Sequence, residues 1–318
     1  MTQRILTLTL NPALDMACET ERVVPEDKLR TFNETHDPGG GGVNVARVLH
    51  ELGADTRALV LAGGVTGRFL IELLQAGGTP CRAIPIAGTT RISTTVHDRS
   101  TNQEYRFVPE GPEVSAAELA HALDILDAEP ADWLVLSGSL PRGLPADTYA
   151  KIVAREYARG RNIVLDTSGP ALQAALGKGL ALIKPSLREF EHLVGRSLPD
   201  AAAQNEAALA MVRTGAATRI AVSLGADGAL LATEAGVIRR PAIPVTPRGA
   251  VGAGDSFLAG MTLAFARGDT PDDALSWGLA AGAAAVMQSG TAHPRRADIT
   301  ALHLQARNGS GSASGAGK

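Results

Sequence analysis

The sequence predicts an α/β fold built on a mostly parallel central sheet, with a small β lid, and three observations carry that prediction. Short β-like runs recur along the chain, segments of helical period often follow them, and two stretches break the rhythm with no helix directly after. The runs are ILTLTL from residue 5, RALVLAGG from 57, WLVLSGS from 133, NIVLDTSG from 162, LALIKPS from 180 and RIAVSLG from 219. Alternation of such runs with helices is the pattern of a parallel sheet covered by helices.

Among the helices, VNVARVLHELG from 43 sets Val45, Leu49 and Leu52 at i, i+4 and i+7, with Gly53 as a C-terminal stop. A second is SAAELAHALDIL from 115. A late pair, DSFLAGMTLAFARG and PDDALSWGLAAGAAAVMQSG, is rich in Ala and Gly, which lets two helices pack closely. The segments that break the rhythm are residues 13 to 37 and 90 to 111; they read as a hairpin and a strand projecting from the main sheet, and form the lid. Residues 1–305 are expected to fold as one domain. From 306 to 318 the chain is Gly/Ser-rich and is expected to be a flexible tail.

Composition narrows the function. A chain of 318 residues with 45% hydrophobic content buries a large core, and its net charge of only -3, from 30 basic and 33 acidic residues, offers no field for nucleic acid or an anionic membrane. An anionic ligand must be met locally. The two cysteines, Cys18 and Cys81, have no C-x-x-C spacing, so neither a disulfide framework nor a zinc site is expected, and a reducing, cytoplasmic setting fits. The longest apolar stretch, GLAAGAAAVM from 278, falls far short of the ~20 residues a bilayer needs. The N-terminus alternates like a strand instead of presenting a signal core. Walker A and Rossmann glycine patterns are both missing, and the seven histidines show no metal-ligand spacing.

Four groups of residues could carry chemistry. In GAVGAGDSF, Gly252 and Gly254 let backbone N–H groups approach a ligand, and a helix starting near Asp255 would aim its positive end at the same point. Asp255 then reads as a base for an attacking hydroxyl or, more simply, as a helix cap. Ser256 as a nucleophile would need a late Asp-x-x-His, whereas Asp298 and His303 stand five apart. The cluster DPGGGGVNVAR puts four glycines directly before the helix that carries Asn44, an entropic cost that suggests a binding role. In IKPSLREFEHLV, Ser186-x-x-Glu189 is a capping box; Glu189 could also hold a magnesium ion through water. Lys28, Arg30, Arg91 and Arg106 fall in the two lid segments and suggest a phosphate clamp, against the default of solvated surface charges.

In this order the pieces resemble the phosphofructokinase B group of the ribokinase-like sugar kinases, from about residue 4 to 300. The likeness rests on PGGGGVNVARVLHELG and VGAGDSFLAGM, and LTLNPALD, PEDKLR, EYRFVPEG, LSGSLPRG and VSLGADGALL make the chain most like the minor bacterial 6-phosphofructokinases. The resemblance implies ATP-dependent phosphorylation of fructose 6-phosphate at the C1 hydroxyl, on a ribokinase-like α/β fold whose β lid also forms a homodimer. Kinases for tagatose 6-phosphate or fructose 1-phosphate are the alternative; the latter tend to carry Gly-Lys-Gly where this chain has GGGG. A binding protein that has lost catalysis is the reading from another class, and the retained Asp255 argues against it.

Residue by residue, the resemblance implies Asp255 as base, the amides of Ala253, Gly254 and Asp255 as anion hole beside Gly252, and Asp15, Gly40, Gly41 and Asn44 on sugar hydroxyls. Lys28, Arg91 and Arg106 would meet the substrate phosphate and Ser139 the sugar floor. Lys184, Ser186 and the loop Ser223, Leu224, Gly225, Ala226, Asp227 and Gly228 would serve the nucleotide. Glu189 matches a magnesium-associated glutamate, and Gly249, Val251, Ala285, Gln288 and Gly290 match a potassium site of backbone carbonyls. Ser186 stands where the family has asparagine, which shortens the reach and removes an amide while keeping the cap.

Overall fold

In the run Trp133–Ser137, Trp133 and Val135 pack into one hydrophobic core while Leu134 and Leu136 pack into another, and all four are buried. Strands that are apolar on both faces belong inside a sheet covered on both sides. The computed structural model, which describes residues 3–249, 251–288 and 293–311, shows that arrangement.

In chain order the strands are β1 (Ile5–Thr9), β2 (Ala13–Thr20), β3 (Phe32–Gly39), β4 (Thr56–Ala62), β5 (Cys81–Pro85), β6 (Arg91–Asp98), β7 (Gln103–Phe107), β8 (Trp133–Ser137), β9 (Asn162–Asp166), β10 (Leu180–Ile183), β11 (Ile220–Ser223), β12 (Ala229–Thr233) and β13 (Gly236–Arg240). The helices are α1 (Gly41–Glu51), α2 (Gly64–Ala76), α3 (Ala116–Ala128), α4 (Thr148–Ala158), α5 (Gly169–Ala175), α6 (Leu187–Val194), α7 (Ala201–Arg213), α8 (Ala253–Arg267), α9 (Pro271–Val286) and α10 (Arg296–Gly311). Among the described residues the main sheet has nine strands in the order β13-β12-β11-β10-β9-β8-β1-β4-β5. All six runs anticipated from the sequence lie in it and pair in parallel with one another. The β12–β13 hairpin adds an antiparallel edge, and β5 closes the other side.

Helices α3 to α7 cover one face, where Leu126, Tyr149, Leu172, Phe190 and Ala208 meet the sheet. Helices α1, α8, α9 and α10 cover most of the other. The Ala/Gly-rich pair α8 and α9 packs closely because neither contact point carries a side chain: a methyl on Gly260 would press on the Trp277 carbonyl, and one on Gly278 would press on Met261. Every residue of α8 from Ser256 to Ala266 is buried, so this helix is a central pillar.

The two segments that interrupt the alternation form a second sheet of four strands, β3-β2-β6-β7. Its register matters for function. Asp15 on β2 pairs with Ser93, and Arg106 on β7 pairs with Thr95, so Asp15, Arg106 and Arg91 share one face of this sheet. Ile92, Thr94 and Phe107 lie on the opposite face.

One expectation is corrected at the C-terminus. Composition placed a flexible tail from residue 306, yet α10 runs on to Gly311. Ala306 packs against the α8–α9 core and Arg307 Nε lies 3.9 Å from Asp273 Oδ1, so the helix has a packed face to propagate from. Residues 312–318 lie outside the described residues.

Candidate active site

The carboxyl ends of five neighbouring strands converge on one region, as they do in open α/β sheets that bind ligands. Asn11 follows β1, Ser139 follows β8, Asp166 ends β9, Lys184 follows β10 and Ser223 ends β11. Above them the N-terminus of α8 separates two cavities. The first, of about 530 Å³, is walled by Ser223, Gly225, Ala226 and Gly228 of the β11–β12 turn, by Ile243 and Val245, and by Phe257, Leu279 and Ala283, and it reaches Ala253 and Gly254. Its lining is largely apolar. The second, the polar cavity, of about 800 Å³, is the more polar of the two and reaches Asp255, with Gly41, Arg91, Ser139, Arg142, Asp166 and Glu189 in its wall beside apolar residues such as Val108 and Leu140.

Gly252 makes the junction. It caps α8 at φ 73°, a left-handed conformation that favours glycine, and turns the following amides of Ala253, Gly254 and Asp255 into the first turn. Those amides have no partner within the helix, and the helix dipole adds positive potential, so the point is suited to an anion. Asp255 is the third residue of that helix, and its Oδ2 accepts from Asn44 Nδ2 at 2.9 Å. The N-cap position itself is taken by Gly252. Burial pushes the Asp255 carboxyl above the usual carboxylate range, opposed by the Asn44 hydrogen bond and by the charges of Lys184 and Arg106. Ser256 is buried, its backbone bonded to Gly252.

Lys184 is buried against the same turn, its Nζ close enough to Gly254 that a methyl there would touch it at 3.3 Å. Burial opposes its charge, but Asp166, Asp255 and Glu189 outweigh burial and hold it protonated. Its ion-pair partner is Asp166 at 3.4 Å. Burial pushes the Asp166 carboxyl up to about 6, against Lys184 and helped by the charges of Asp255 and Glu189. Sequence reading passed over Asp166, although a carboxylate ending a strand in NIVLDTSG was signal enough under the strand-end rule.

Ser186 and Glu189 form the anticipated box at the start of α6. Ser186 donates to Glu189 Oε2 from its backbone N at 2.8 Å and its Oγ at 2.7 Å, and the Glu189 N–H returns to Ser186 Oγ at 3.4 Å. Cap and site coincide here, since Glu189 still lines the polar cavity.

The glycine cluster has a different local cause from the one its composition suggested. Methyls on Gly41 and Gly42 would overlap Ser137 Oγ and Thr9 Oγ1, and one on Gly39 would overlap the Asp15 carboxylate. The missing side chains let α1 begin directly on β1 and β8; Gly41 also opens onto the polar cavity. Gly40 sits between them at φ 105°.

Asp15, Gly40, Asn44 and Arg106 lie outside the walls of both cavities; burial pushes the Asp15 carboxyl up to about 6, opposed by Arg106 and Arg91. Arg106 is exposed, yet its charge registers at both Asp15 and Asp255. Arg91 donates to the carbonyls of Pro109 at 2.8 Å, Asn11 at 2.9 Å and Pro12 at 3.4 Å, so it pins the connections around the cavity as well as facing it. Ser139 Oγ accepts from Asn11 Nδ2 at 3.1 Å. Lys28 and Arg30 are exposed in the connection between β2 and β3 and line neither cavity. In the β11–β12 turn Leu224 packs on the core, while Asp227 stands exposed. Gly249 donates its N–H to the Val286 carbonyl at 3.2 Å and Gln288 donates to Ala285 at 3.0 Å, so Gly249, Val251, Ala285 and Gln288 lie where the α8 approach meets the end of α9; Gly290 lies outside the described residues.

Comparison with known proteins agrees with this geometry. The chain matches the pfkB family carbohydrate kinases over residues 9–298. It is 43% identical over 298 residues to ATP-dependent 6-phosphofructokinase isozyme 2 of Mycobacterium tuberculosis, covering 93% of this chain and 88% of that one. It is 33% identical over 267 residues to 1-phosphofructokinase of Rhodobacter capsulatus, covering 82% and 83%. The structure of phosphofructokinase-2 from Escherichia coli with substrates and products superposes with a TM-score of 0.92 at 36% identity, over 96% of this chain and 99% of that one. The same E. coli protein has been solved with potassium and in a tetrameric inhibited form. With a carboxylate beside a helix N-terminus between an apolar and a polar cavity, and a family match over nearly its whole length, this chain belongs to the pfkB family of carbohydrate kinases.

Proposed function

We propose that the chain is an ATP-dependent 6-phosphofructokinase, transferring the γ-phosphoryl group to the C1 hydroxyl of fructose 6-phosphate. The observation that carries this reading is the position of the first turn of α8 between the two cavities: Ala253 and Gly254 line the apolar one, and Asp255 lines the polar one. The 6-phosphofructokinase relative at 43% identity against the 1-phosphofructokinase at 33% supports the sugar assignment.

The apolar cavity takes the nucleotide base, with Ser223 to Gly228 along its wall. Its phosphates run to the α8 N-terminus, where the amides of Ala253 to Asp255 and the Lys184 ammonium meet the charge that shifts during transfer. The sugar occupies the polar cavity, its hydroxyls against Asp15, Gly40, Gly41 and Asn44, its floor at Ser139, and its phosphate toward Arg91 and Arg106. Lys28 joins that clamp only if its connection moves or a second subunit supplies it. Asp255 takes the C1 proton as the oxygen attacks, its pKa raised toward working pH by burial. Asn44 aims the carboxylate.

The donor set suits a hydrated magnesium ion. Glu189 and Asp166 are two carboxylates on the wall of one cavity, and magnesium keeps most of its waters and takes few protein ligands. Magnesium supplies charge neutralisation on the phosphates. The carbonyls of Gly249, Val251, Ala285 and Gln288 are the oxygen donors a potassium ion would use. A homodimer through the small sheet belongs to the same proposal, supported by exposed Ile92 and Phe107. So does a cytoplasmic setting, supported by free Cys18 and Cys81.

The test is coupled turnover on fructose 6-phosphate, tagatose 6-phosphate and fructose 1-phosphate. The highest kcat/KM is expected with fructose 6-phosphate; a higher value with another sugar transfers the assignment to it, and no ADP release with any leaves a binding protein.

A further inference from the structure

One stripe of α1 ties together three parts of the molecule at the sugar end of the site. Asn44, Arg47 and Glu51 fall at i, i+3 and i+7 and share a face. Asn44 holds Asp255. Glu51 accepts from the Arg296 backbone N–H at 2.8 Å and lies 3.8 Å from His293 Nε2. Between them, Arg47 is only 8% exposed and its guanidinium reaches three acceptors: Nη1 donates to the Pro38 carbonyl at 3.1 Å, and Nη2 to Asp37 Oδ1 at 3.0 Å and His293 Nδ1 at 3.2 Å.

A buried guanidinium is costly unless its donors are met, so its surroundings indicate what it is for. Across β2 and β3, Asp37 stands directly opposite Asp15, a pairing of like charges that destabilises a sheet. Asp37 raises the Asp15 pKa and Arg47 lowers it. Two residues beyond Asp37, the Gly39 backbone lies flush against the Asp15 carboxylate. Holding Asp37 and Pro38 therefore fixes the surface on which that carboxylate rests. His293 is kept unprotonated by burial and by the Arg47 charge, against Glu51 and Asp37, which leaves Nδ1 free to accept.

We propose that Arg47 is a positioning residue for sugar binding, seated by His293: it offsets Asp37 and locks the end of β3, so that Asp15 meets the sugar as an oriented anion. The inference rests on the ketose-phosphate reading above and adds residues that do not touch substrate.

Kinetics of purified full-length variants test it, with KM for each substrate and kcat measured separately. Arg47→Met is expected to raise KM for fructose 6-phosphate about tenfold or more, a loss of one buried charged contact, with KM for ATP unchanged and kcat within about threefold. Arg47→Lys keeps the charge without the fork and recovers only part of the loss. His293→Ala raises the sugar KM about threefold or more, and His293→Asn, whose carboxamide oxygen replaces Nδ1, restores it. His293 is partly exposed, so this second pair decides the matter if Arg47→Met does not fold. A sugar KM that stays at the wild-type value, or a KM for ATP that rises in parallel, overturns the positioning role. Wild-type protein inactive on fructose 6-phosphate overturns the substrate assignment instead, and the same variants are then compared on the ketose phosphate that is turned over.

Discussion

Asp255 reads in the sequence as a base or as a helix cap. Its position after two glycines permitted a cap, but in the folded chain its carboxylate bonds to Asn44, 211 residues away in sequence, and faces the polar cavity. Asp255→Asn is expected to keep sugar binding while kcat falls by about 100- to 10,000-fold, measured by equilibrium binding beside turnover; near-normal kcat removes it as the base. Three carboxyls at the site are raised, and the sign follows from that. Asp15 and Asp166, pushed up to about 6, take up protons as pH falls through that value, and Asp255 moves the same way. A pH profile of kcat/KM should therefore fall on its acid side near 6, above the range of ordinary aspartates, and a profile flat down to pH 5 would contradict the burial argument.

At the scale of elements, the start of α6 joins stability to chemistry. Ser186 caps the helix and its Oγ is bonded to the very Glu189 oxygen its backbone holds. Ser186→Ala is expected to cost about 1 kcal/mol of stability, read from denaturant unfolding, because the box loses its side-chain half. Asparagine also caps well, so Ser186→Asn should unfold near the wild-type midpoint while requiring less magnesium for half-maximal rate. Equal magnesium dependence in the two proteins would show that the serine changes nothing at the metal. Elements were the best predicted level: six strands and the paired late helices follow from runs and periods in the chain. Helices α2, α4, α5, α7 and α10 were not singled out, and the main-sheet strands missed, β5 and the β12–β13 hairpin, lie at the two sides of the sheet, where β5 reads as a mostly exposed run with little apolar pattern.

For the whole molecule, the small sheet is asymmetric. One face carries Asp15, Arg91 and Arg106 toward the site, and the other leaves Ile92 and Phe107 40% and 59% exposed. Exposed apolar side chains gathered on one face of a sheet are what a second copy would cover. Sedimentation should find a dimer for the wild type and a monomer for an Ile92→Glu, Phe107→Glu double variant, with a raised sugar KM; an unchanged dimer places the contact elsewhere.

The sequence by itself determined the layers of this fold, because two-sided apolar runs and helical stripes are local patterns that only a covered parallel sheet satisfies. It also marked the glycine-rich start of α8 and the Ser186 cap, whose geometry is set within a few residues. Tertiary structure alone decided what the charges do. Asp166 meets Lys184 and Asp15 faces Asp37 only once their strands lie side by side, and Arg47 meets His293 across 246 residues of sequence. A charge acts through distance and burial, and neither is written in the order of the chain.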